Sequence, residues 1–165
     1  MKRRIALTAL AGLLTTVTLA GGMGISASAS TTPDLRCDLV YRFTTPPGVA
    51  REQALTLFAS AVYVDNVDGP GIRTWTQFRF RLEGFSTTHN NVNIRLTESG
   101  QTIYSWNSPD DLRSGQQYIR NVNVHSSAWG PLGERDHRSH DLIEFEGIFD
   151  IPGADDVSCT ASTNV

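Results

Sequence analysis

Lysine is almost missing from this chain. Lys2 is the only one among 165 residues, so beyond the first four positions all formal positive charge comes from arginine. A general binder of nucleic-acid backbones needs a cationic footprint. Here 17 acidic residues outweigh 14 basic ones, and the net charge of −3 argues against that class. No run of about 20 apolar residues occurs, as a membrane-spanning helix requires. The short signatures of serine hydrolases (G-x-S-x-G), zinc proteases (H-E-x-x-H) and P-loop nucleotide binders are absent too. Their absence weakens the case for an enzyme without closing it.

The N-terminus carries an export pattern. Met1-Lys2-Arg3-Arg4 is cationic, Ile5 to about Ala20 is apolar, and Ala27-Ser28-Ala29 forms an A-x-A site. That order marks a removable secretory signal over residues 1–29. The apolar run is short and interrupted by Thr8, Thr15, Thr16 and Thr18, unlike a membrane anchor. Cleavage after Ala29 leaves residues 30–165 as one secreted domain with no integral membrane segment. Its 11 arginines face 17 acidic residues, a more acidic balance than that of the whole chain.

Cysteine is scarce as well. Cys37 and Cys159 are the only two, near opposite ends of the expected mature domain. Neither has a C-x-x-C partner, so both read as structural. Outside the cytoplasm such a pair oxidises, and a disulfide closing so long a loop contributes roughly 4–5 kcal/mol through chain entropy.

What is abundant is alternation. Leu35, Cys37, Leu39, Tyr41 and Phe43 share one parity, with Arg36, Asp38, Val40 and Arg42 on the other. This predicts a half-buried strand, ended by Pro46-Pro47-Gly48. Residues 50–55 have the composition of a helical turn, and a strand is predicted from about residue 54, with Phe58, Val62 and Val64 on one face. Further strands are expected over 73–85 (Phe78, Phe80, Leu82), 92–97, 101–106, 117–125 and 142–149 (Ile143, Phe145, Phe149). The remainder from Asp150 reads as loop and tail. Seven alternating segments separated by Gly, Pro and Asn turns predict an all-β fold, a small antiparallel β-sandwich, with a small barrel as the alternative. This layout has a general similarity to bacterial carbohydrate-binding modules, a likeness of architecture that transfers no site residues.

The candidate binding residues are aromatics and arginines. Trp75 has the parity of a polar face unless a bulge intervenes, Tyr104 and Trp106 share a face, and Trp129 lies in a polar loop over 126–140. Exposed aromatic rings stack on the apolar faces of sugars. With Arg79 and Arg81 they also make the composition of a protein-interface anchor. His137-x-x-His140, with His125, is a weak zinc candidate, because a site needs three or four converging ligands. Asp65, Asn66 and Asp68 suggest calcium as weakly, since such residues favour turns for their own hydrogen bonds. No cofactor is otherwise expected.

These features favour a secreted, non-enzymatic binding or interaction domain whose partner is an extracellular polysaccharide or a secreted or surface protein. The alternatives are an inhibitor of a secreted enzyme, using the 126–140 loop, or a small extracellular hydrolase. The hydrolase would draw on the His137/His140 region with His125 and Glu144 or Glu146.

Overall fold

The computed structural model describes residues 29–66, 68–69, 71–127 and 141–165. The expected signal segment up to residue 28 and most of the 126–140 loop, including Trp129, His137 and His140, therefore lie outside the described residues. Among the described residues nine strands are present: β1 (Ala29–Thr31), β2 (Leu35–Thr45), β3 (Val49–Asp65), β4 (Ile72–Glu83), β5 (Asn91–Glu98), β6 (Gln101–Asn107), β7 (Gln117–Ser127), β8 (Asp141–Phe149) and β9 (Val157–Asn164). They form two antiparallel sheets stacked as a sandwich, without closure into a barrel. In the first, β1 and β2 both pair with β3, followed by β4 and β7; the second has the order β6-β5-β8-β9.

Alternation builds the core. Leu55, Leu57, Ala59 and Ala61 of β3 meet Phe78, Phe80 and Leu82 of β4 in the first sheet's inner face. Val92, Ile94 and Leu96 of β5 and Ile143, Phe145 and Phe149 of β8 supply the second. Each large side chain buried this way stabilises the fold by about 1.5–3 kcal/mol relative to exposure. The sheets approach closely at Gly147, where a Cβ would stand 2.7 Å from Leu82 Cδ2 and 3.3 Å from Leu57 Cβ. The Cys37–Cys159 disulfide joins β2 of one sheet to β9 of the other, with Cα atoms 6.1 Å apart.

Four sequence expectations need correction. The helical composition of residues 50–55 is overridden by pairing: β2 and β3 match from Leu35↔Ala59 to Thr45↔Val49 without a register break. On β3 the inward set is Leu55, Leu57, Ala59 and Ala61, so Phe58 faces outward. Tertiary packing, not local propensity, decides both points. Trp75 does not lie on the polar face. The β3–β4 register shifts at Val62/Tyr63, which oppose Gln77 and Trp75, leaving Thr76 as the extra residue. This bulge reverses the parity, and Trp75 is 0% exposed. The tail is not wholly a loop, because Val157–Asn164 pairs with β8 along its length. Its Ser and Thr content hid an edge strand that buries only Ala161.

Candidate functional site

The outer face of the first sheet carries the most distinctive surface. Strand register places Arg36, Phe58, Arg81 and Gln117 side by side across β2, β3, β4 and β7. The Arg81 guanidinium lies 4.7 Å from the Phe58 ring centroid, and the Arg36 guanidinium 5.2 Å. Such cation–π contacts are worth about 0.5–1 kcal/mol at exposed positions. One row further, Ser60, Arg79 and Ile119 are neighbours. A depression of about 220 Å³ opens between these rows, lined by Asp34, Phe58, Ser60, Arg79, Arg81 and Gln117.

Charge on this face is only partly neutralised. Arg36 pairs with Asp38 at 2.8 Å and Arg81 with Glu83 at 3.0 Å. Hydrogen bonds from Arg36 and Thr56 hold the Asp38 carboxyl below its ordinary range. Arg79 instead donates to Gln77 Oε1 at 2.8 and 3.2 Å, and among the described residues it forms no ion pair with a carboxylate. Beside it Ile119 is 57% exposed, an unusual position for a large aliphatic side chain. The face therefore offers an unneutralised cation, a held aromatic ring and an exposed aliphatic group within neighbouring rows.

The expected aromatic residues are distributed differently. Trp75 is in the core, and its indole N–H donates to Ser126 Oγ at 3.0 Å. Tyr104 and Trp106 are half-buried on β6. Tyr104 packs against Phe78 with centroids 5.3 Å apart, and Trp106 against Phe80 at 6.0 Å. Arg120 of β7 lies over Trp106 at 5.1 Å. That indole ring thus has two protein neighbours, Phe80 and Arg120. Arg79 and Arg81 are on the expected polar face, but the aromatic that accompanies them is Phe58. The odd-numbered run Leu55, Leu57, Ala59 and Ala61 was the sequence signal for this, since it offers a complete inner face of the opposite parity.

The second sheet's outer face is polar without an aromatic. Asn93, Arg95, Ser105, Asn107, Glu144 and Glu146 line a shallow groove of about 450 Å³. Asn93 donates to Glu146 at 2.9 Å, while Arg95 and Glu144 are 3.9 Å apart. His125 is on the outer face of the first sheet, near Asp68 (3.5 Å) and Thr74 (3.3 Å). It is thus separated by the sandwich's thickness from Glu144 and Glu146, with which a hydrolase was expected to combine it. Among the described residues no group of three or more His, Cys, Asp or Glu side chains could hold a metal ion. The Asp65/Asn66/Asp68 turn uses its oxygens internally: Asp65 accepts from Arg73 at 2.9 Å, Asn66 from the Gly71 amide at 2.9 Å, and Asp68 from Thr74.

A buried polar cluster has no signature in the sequence. Asp141 is 1% exposed and accepts a 2.6 Å hydrogen bond from Ser126 Oγ. Arg73 reaches Asp141 Oδ2 at 3.4 Å, the Val165 carbonyl at 2.8 Å, and stacks over Tyr63 at 4.4 Å. Burial raises the Asp141 pKa, opposed by the Ser126 hydrogen bond and the Arg73 charge. The cluster ties β3, β4 and β7 to β8 and the C-terminus. Comparison with protein-family models, curated proteins and solved structures finds no match for the chain.

Proposed function

We propose that the chain is a secreted, non-enzymatic domain that captures a protein partner on the outer face of its first sheet. The observation that carries this reading is the grouping of Arg36, Arg79 and Arg81 around Phe58 and Ile119. Arginine and aromatic residues supply most interface anchors, because they combine contact area with directional hydrogen bonds. A partner with an acidic or carboxylate-bearing surface fits the uncommitted Arg79. The export pattern at residues 1–29 supports an extracellular setting.

A polysaccharide partner is the second reading. The Asn93/Ser105/Asn107/Glu146 groove favours it, since amides, hydroxyls and carboxylates match sugar hydroxyls. Stacking support for it is weaker, because Trp75 is buried and Trp106 is half-buried, packed against Phe80 with Arg120 over its ring.

The discriminating experiment immobilises the oxidised mature domain and a variant with Arg79→Glu and Arg81→Glu. Both are offered secreted and surface proteins and a panel of insoluble polysaccharides. Salt-sensitive, stoichiometric capture of one protein, lost in the variant, is expected. Salt-resistant retention on one polymer, undiminished in that variant and lost in Asn93→Ala or Asn107→Ala, transfers the function to the second sheet. Catalytic turnover of any substrate in the panel overturns both readings.

A further inference from the structure

The free edge of β2 has the features of a strand that pairs with another. β2 hydrogen-bonds to β3 only; its other edge is unpaired among the described residues, with β9 of the second sheet lying beside it at the disulfide. It is 11 residues long, unbroken by a bulge, and contains no Pro, Gly or Lys. Proteins commonly blunt exposed edges with short strands, lysines, prolines or bulges. None of these four is present here, and the charged side chains that β2 does carry, Arg36, Asp38 and Arg42, are of both signs. Val40, at its centre, is 59% exposed.

The strand is also self-complementary. Its solvent-side residues read Arg36, Asp38, Val40, Arg42 and Thr44. An antiparallel pairing about a two-fold axis through Val40 sets Val40 against the partner's Val40. Asp38 then lies opposite the partner's Arg42, and Arg42 opposite the partner's Asp38. The same register matches the full strand end to end, with Leu35 opposite the partner's Thr45. On the inner face Leu39 meets the partner's Tyr41 beside an apolar depression lined by Leu39, Val40, Tyr41 and Val157. Neighbouring registers fare worse: centring on Tyr41 sets Val40 against the partner's Arg42 and Asp38 against the partner's Thr44, and runs the pairing into Pro46. Centring on Leu39 puts Arg36 against the partner's Arg42, and centring on Asp38 or Arg42 puts like charges on the axis itself. Centring on Cys37 sets Val40 against the partner's Asp34 and runs the pairing into Pro33, which has no N–H.

We infer that a second copy of this chain is the occupant of the β2 edge, joined β2 to β2 about an axis through Val40. Such an isologous contact is the commonest route to a closed dimer. The new contact adds to the Arg36–Asp38 and Arg42–Glu52 pairs within each chain, because the Asp38 carboxylate has further acceptor sites and the Arg42 guanidinium further N–H donors. It joins the two first sheets into one, with both Arg-Phe58 faces on the same side. The inference does not depend on the proposed function.

The test uses the mature oxidised chain. Sedimentation should show reversible dimerisation with rising concentration. V40C should form a disulfide-linked dimer under mild oxidation, since directly opposed residues bring their Cβ atoms to about 4.5–5.5 Å. V49C, on the same hairpin but off the axis, should not. D38R and R42D should each weaken association about tenfold or more by juxtaposing like charges, and the double variant D38R/R42D should restore it. All four positions are at the surface, so circular dichroism should report native folding throughout. A monomer at millimolar concentration, equal cross-linking of V40C and V49C, or a double variant no better than the single ones overturns the inference.

Discussion

The two sheets are tied together in two places by opposite means. At the β2/β9 edge the tie is covalent, through Cys37 and Cys159. At one end of the sandwich it is polar, through Arg73, Asp141, Ser126 and the C-terminal Val165. A disulfide acts mainly by restricting the unfolded chain, and is indifferent to protonation in the acidic and neutral range. A buried ion pair acts in the folded state and depends on every partner being present, since desolvation offsets most of its attraction. The first tie therefore tolerates changes around it, whereas the second is fragile to any single deletion.

The largest effect is expected from removing the covalent tie. Replacing both Cys37 and Cys159 with Ser should cost about 4–5 kcal/mol by the loop-length relation. Urea denaturation at neutral pH measures it, and a loss below about 1 kcal/mol would mean that the polar cluster alone restrains the sheets. Next comes Asp141→Ala, which leaves Arg73 and Ser126 facing an uncompensated space. Breaking one partner from a buried pair costs about 3–5 kcal/mol. Because Arg73 keeps Asp65 and the Val165 carbonyl, the lower end of that range is expected. A smaller effect should follow Trp75→Phe, which retains a ring but deletes the hydrogen bond to Ser126. Such a bond is worth about 0.5–1.5 kcal/mol, and loss of the smaller ring's packing adds to it. Equal stability of the variant and the parent would show that the indole N–H has no role in the cluster.

These ties also differ in how legible they are in the sequence. Two cysteines near opposite ends of a chain that carries an export pattern announce a disulfide, because their chemistry has few other uses outside the cytoplasm. Strands β2 and β4 to β8 were legible for a similar reason, since residues such as Phe78, Phe80 and Leu82 alternate strictly. The polar cluster gave no such signal. Arg73, Ser126 and Asp141 all sit at strand ends, among residues of loop composition, and their burial depends on how three distant segments converge. Trp75 was misplaced by one inserted residue, Thr76, whose bulge is a property of the pairing with β3 and β7 and not of the local sequence. Phe58 was lost because both parities of β3 are apolar, so only the packed sheet decides which one faces in. The arginines of the candidate surface are therefore legible in the sequence, and the aromatic among them is not.

The smallest expected effect separates the protonation behaviour of two carboxylates. Asp141 has its pKa raised above the ordinary value of 3.8, chiefly by burial. Between the ordinary and raised values the folded chain binds more protons than the unfolded one, so stability falls as pH rises. The contribution of this group is fully present below 3.8 and is lost as pH climbs through the raised value. Asp38 is the reverse case: with its pKa lowered by Arg36 and Thr56, it contributes above the ordinary value and loses that contribution as pH falls. Asp141→Asn and Asp38→Asn should therefore differ in sign across an acid titration of stability. Relative to the Asp141→Asn variant, the parent should gain ground on acidification; relative to Asp38→Asn, it should lose ground. Urea denaturation in steps from neutral pH to below the ordinary carboxylate range measures both differences. A parent that loses ground to Asp141→Asn on acidification would mean that Arg73 and Ser126 more than compensate the burial of Asp141, making the polar tie a net electrostatic attraction at neutral pH.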